Sequence, residues 1–96
     1  MKYIDMVTIS YWLTDWCREA YIDPRYVQYF LNKERLEICI CTNYPGRLIG
    51  KHGLLFEEYQ HKLRKKEDQY KCEEHCSIKL IESTPANYWV DYCWME

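Results

Sequence analysis

An α+β domain is predicted, in the order α-β-β-α-(α)-β, with a three-stranded sheet and helices packed on one face. Three observations carry this expectation. Apolar residues recur at helical spacing before residue 20 and again after residue 54. Runs near residues 25–42 and 76–83 are rich in β-formers. All three glycines, Gly46, Gly50 and Gly53, stand between the second strand-like run and the second helical stripe. Glycine serves positions of positive φ or close backbone approach and costs conformational entropy elsewhere, so such concentration marks one specialised loop.

The first helix reads from Thr8, because Ile9, Trp12, Leu13, Trp16, Cys17 and Ala20 form one apolar stripe with Asp15, Arg18 and Glu19 outside it. Both tryptophans on that stripe are expected in the core. Residues 1–7 carry little signal. Asp23-Pro24 is expected to end the helix, since the residue before proline is driven out of the α region. The run Arg25–Leu31, a polar turn at 32–34 and the run Arg35–Thr42 then read as a hairpin. Leu36, Ile38 and Ile40 should face the helices, with Cys39 and Cys41 on the other face. Pro45-Gly46 has the composition of a type II turn. Leu54 to Lys66 follows as a helix with Leu55, Phe56, Tyr59 and Leu63 inward, and Glu58 and Lys62 form an i, i+4 pair in the favourable order. Residues 67–75 read as a charged loop, or as a loop entered by the end of that helix. Cys76–Ser83 is the third strand, with Ile78 and Leu80 inward and Thr84-Pro85 as its stop. Residues 1–96 form one domain, with a core at 8–83 and an aromatic tail at 84–96 expected to pack back onto the Cys39, Cys41 and Ile81 face or onto a partner.

Composition narrows the function. Sixteen aromatics and 48% hydrophobic residues argue against disorder. No apolar run approaches the roughly 20 residues of a membrane span. The first residues do not form a basic-then-apolar leader, so the cytoplasm is the expected location, and the six cysteines are expected as free thiols in that reducing compartment. The formal net charge is −2, yet Arg47 to Lys66 holds six Lys or Arg against two acids, leaving the rest of the chain net acidic. Such a field directs anions to one face.

Lys51 and His52 stand between Gly50 and Gly53 at the expected start of a helix, where free N–H groups and the macrodipole favour an anion. The bland alternative is a tight turn whose glycines only permit packing. Packing, however, does not account for the two basic residues. Cys72, His75 and Cys76 form one cluster of metal-ligand type, whereas tetrahedral zinc sites usually draw on two; no metal or other cofactor is expected. No nucleophile turn is recognisable, so an enzyme is not expected.

The strand Leu36–Thr42, Pro45-Gly46, Ile49, the Gly50-Lys51-His52-Gly53 loop and the amphipathic helix after it together resemble a KH domain of the prokaryotic, type II arrangement. It is the kind found in the small-subunit ribosomal protein at the messenger-RNA entry, and the likeness spans residues 8–83 in order and spacing. The resemblance implies a type II KH-like fold that binds single-stranded RNA, or single-stranded DNA, gripping about four nucleotides of backbone. It implies binding at Gly46, Arg47, Leu48, Ile49, Gly50, Lys51, His52 and Gly53. Lys51 and His52 would face phosphate, Ile49 and Leu48 would form an apolar floor for a base, and Arg47 would contact phosphate or stack. The acidic body implies work within a homo-oligomer or a larger ribonucleoprotein assembly. The rival reading is a protein-interaction module on the same scaffold, using the aromatic tail and the outer sheet face.

Overall fold

The computed structural model describes residues 2–82; the expected packing of the aromatic tail and Ser83, the last residue of the expected third strand, lie outside these residues. Helix α1 spans Met6–Glu19. Its start is earlier than the stripe suggests because Asp5 is the N-cap, its Oδ1 accepting the Thr8 N–H at 2.7 Å. The segment before it is not idle: Ile4 is fully buried in the core. Helix α1 ends before Asp23-Pro24, at a Schellman motif in which Tyr21 N–H donates to Arg18 O and Ile22 N–H to Cys17 O, with Tyr21 at φ 58°. Pro24–Tyr26 is a single 3₁₀ turn rather than strand, capped by the Asp23 side chain.

Strands β1 (Gln28–Asn32) and β2 (Glu37–Thr42) pair antiparallel, and β3 (Ser77–Glu82) lies parallel to β2, giving the order β1-β2-β3. The hairpin turn is longer than its polar residues indicate. Asn32 Oδ1 accepts from the Glu34 and Arg35 N–H groups, and Leu36 takes φ 50°, so Arg35 and Leu36 belong to the turn. The register places Tyr29 and Leu31 beside Ile40 and Ile38, which in turn face Leu80 and Ile78. That face packs against the helices, and Ile38 and Ile40 are fully buried there. The other face carries a second cluster of Cys39, Cys41 and Ile81 with Phe30 beside it. The segregation of aliphatics and cysteines expected from the alternation is therefore present.

Pro45–Ile49 is a short helix, α2, and not a type II turn. Proline at its first position presets φ and loses no needed N–H, while Gly46 adopts helical backbone and Gly50 N–H closes onto Gly46 O at 2.9 Å. Helix α3 runs Leu54–Gln69, beyond the expected Lys66, because Glu67 has a buried role. Its Oε2 accepts the Cys76 N–H at 2.7 Å, and its Oε1 pairs with Arg64, which also donates to Cys76 O at 2.8 Å. The charged stretch thus ends a helix and fastens the start of β3. Helix α3 closes with a second Schellman motif, with Lys71 at φ 54°. The Glu58–Lys62 pair forms at 3.1 Å.

Helix α1 holds the loop region through its aromatic stripe. Trp12 donates its indole N–H to Tyr59 O and Trp16 to Leu48 O, each at 2.9 Å. Trp16 also stacks on Tyr59 at 5.4 Å and meets the edge of Phe56 at 5.8 Å. Buried indoles need a partner for the N–H, and the two carbonyls chosen lie on α2 and α3, on either side of the glycine loop. Among the described residues, Cys17, Cys39, Cys72 and Cys76 are free thiols as expected. No helix among the described residues is long and apolar enough to cross a membrane.

Candidate nucleic-acid interface

The chain leaves α2 through Gly50 at φ 78°, ψ −180°, a region open to glycine alone. Lys51 starts a single 3₁₀ turn, and His52 (φ 57°) and Gly53 (φ 73°) follow in the left-handed region before α3 begins. Such a conformation costs an L-residue about 1–2 kcal/mol, so His52 is held against its preference. Gly53 is the N-cap of α3 and has no side chain to offer, so no side chain caps the helix. Lys51 and His52 are exposed and, among the described residues, take part in no ion pair.

The three glycines are not equivalent. A Cβ on Gly50 would lie 2.6 Å from the Leu55 Cβ, so glycine is required there by packing as well as by φ. A Cβ on Gly53 or Gly46 would meet nothing within 4 Å; Gly53 is demanded by φ alone, and Gly46 by neither.

The remaining candidates separate by burial. Ile49 is 41% exposed and available to a ligand, whereas Leu48 is fully buried and packs in the core. Leu48 therefore acts through its carbonyl, which anchors Trp16. The Arg47 guanidinium lies 4.9 Å from the centre of the Tyr44 ring and donates to Tyr21 O at 3.3 Å, yet remains exposed. Beside the loop, between the end of α1 and the start of α3, opens a cleft of about 630 Å³ lined by Glu19, Tyr21, Arg47, Gly50, Lys51, Leu54 and others. A smaller cleft of about 270 Å³ further along α3 is lined by Lys62, Lys65 and Lys66 with Trp12, Asp15 and Tyr59. The lysines of the basic run thus share a face with α1. Sequence reading missed Tyr21 and Tyr44 because isolated tyrosines at segment ends carry no period.

Cys72, His75 and Cys76 do not assemble. Cys76 is buried while His75 is half-exposed beside Asp68, and no group of three or more His, Cys, Asp or Glu converges as a metal site among the described residues. Burial pushes the Cys17 and Cys76 thiols up to about 11, so neither is an activated nucleophile. Comparison of the chain with family models, curated proteins and solved structures finds no match.

Proposed function

We propose that this chain binds single-stranded nucleic acid, RNA foremost, by its phosphate backbone at Gly50-Lys51-His52-Gly53. The observation that carries the reading is the loop itself: two exposed basic side chains, Lys51 and His52, between Gly50 and Gly53, with Gly50, His52 and Gly53 all at positive φ, at the start of a 16-residue helix that no side chain caps. Backbone N–H groups and the helix dipole favour phosphate there, Lys51 adds an ammonium group, and His52 adds a ring N–H donor. Ile49 offers an exposed apolar surface beside the loop for a base. The element order around the loop is that of a type II KH domain, which supports the same reading.

No residue of the site is asked to make or break a bond, so the chain acts as a binder. Positive charge is concentrated on the loop and α3 of an otherwise acidic chain, so affinity for isolated strands is modest and further basic surface comes from an assembly in the cytoplasm. Purification of the tagged chain at low salt, followed by nuclease treatment of whatever co-elutes, tests the proposal. Ribonuclease-sensitive material released by salt is expected. Absence of any nucleic acid, in a preparation that is folded, would count against it.

A further inference from the structure

Tyr21 is 88% exposed and sits at φ 58° in the Schellman position where glycine is the ordinary residue. A large aromatic in that place gains nothing from burial and suffers the left-handed penalty, so the fold does not explain it. Its surroundings do suggest a role. Tyr21 borders the larger cleft, its carbonyl is held by Arg47, and Arg47 in turn stacks on Tyr44. Across the cleft stands Leu54, 63% exposed. Two carboxylates, Glu19 and Glu58, line the same cleft although Lys51 and Arg47 make its rim basic. Acids beside a phosphate site repel the backbone, but they accept hydrogen bonds from the exocyclic amino groups of bases. Glu19 reaches the cleft from α1 and Glu58 from α3.

We infer that this cleft takes one nucleobase stacked on Tyr21, and that Glu19 and Glu58 select bases bearing an amino group over uracil. The inference rests on the single-strand reading of the loop: Lys51 and Arg47 hold phosphates at the rim while one base turns into the cleft. Stacking on an exposed tyrosine tolerates any base, and the carboxylates supply the discrimination.

Fluorescence anisotropy with labelled A8, C8 and U8 RNA on the full chain tests it. A8 and C8 should bind about tenfold tighter than U8, the size of one good base-edge contact. Tyr21→Gly relieves the backbone strain, so its melting temperature should equal or exceed that of the native chain while affinity for all three strands falls about tenfold. The double change Glu19→Gln, Glu58→Gln should bring U8 level with C8, since an amide can also donate to a uracil carbonyl. Equal affinity for the three strands in the native chain, or unchanged binding by Tyr21→Gly, would overturn the inference and leave the loop reading standing. Failure of the native chain to bind any strand would sink both.

Discussion

Trp16 donates its indole N–H to the carbonyl of Leu48 at 2.9 Å, both residues being fully buried. This bond joins the last turn of α1 to the end of α2, two residues before Gly50. The loop is therefore positioned from below by an aromatic on a different helix, and its geometry depends on α1 as much as on its own glycines. Trp16→Phe keeps most of the apolar volume but leaves the Leu48 carbonyl without its partner. The expected loss is about 1–3 kcal/mol, read as a lower urea midpoint, with weaker binding of RNA even where the chain remains folded.

The glycines supply a graded series. Gly46→Ala removes a glycine from helical backbone with open space around it, and should be neutral or stabilise by up to about 1 kcal/mol. Gly53→Ala forces a positive φ without a clash and should cost about 1–2 kcal/mol. Gly50→Ala suffers both the positive φ and the Leu55 contact and should be the most damaging. Thermal melts of the three variants check the order; a different order would mean that the loop backbone is not as described.

Glu67 makes a separable prediction at the other end of α3. Glu67→Ala removes the acceptor for the Cys76 N–H and leaves Arg64 without its carboxylate. A loss of about 1–3 kcal/mol is expected for an unsatisfied buried amide, with faster hydrogen exchange at the start of β3. Binding by the folded fraction should be unchanged, because the clamp lies away from the loop.

The cysteines set an alkaline limit. Burial raises the Cys17 and Cys76 thiols from an ordinary value of 9.0 to about 11. In the unfolded chain they lose protons at lower pH, so stability held below pH 9 is lost progressively between 9 and 11. Tyr59 acts in the same direction, its phenol pushed up first by burial and then by Glu19. Urea midpoints from pH 7 to 10.5 should fall along the alkaline limb, less steeply in Cys17→Ala, Cys76→Ala. At pH 8 both thiols should resist iodoacetamide until denaturant is added.

Most of the architecture was legible because each element has a period of its own. The stripe from Ile9 to Cys17 and the alternation of Ile38 and Ile40 with Cys39 and Cys41 each satisfy one burial pattern only. What escaped were features that depend on a partner distant in sequence. Glu67 looks like one more charge in a charged run until Arg64 and the Cys76 backbone meet it. Leu36 alternates correctly with its strand, yet the Asn32 side chain draws it into the turn. Pro45-Gly46 fits a turn or a helix start equally well, and the need to carry Leu48 into the core and its carbonyl to Trp16 decides for the helix. At the site, Gly50, Lys51, His52 and Gly53 could be picked out from composition alone. That Leu48 faces inward, and that Tyr21 and Tyr44 crowd around Arg47, required the fold.

The central claim is that Lys51 and His52 clamp phosphate, and charge reversal at the loop tests it most directly. Lys51→Asp, His52→Asp should fold as the native chain does, since both side chains are exposed. Its circular dichroism and melting temperature report this. Fluorescence anisotropy with a short single-stranded RNA, at two salt concentrations, should show salt-sensitive binding by the native chain and none by the variant. Equal binding by the two folded proteins would contradict the claim.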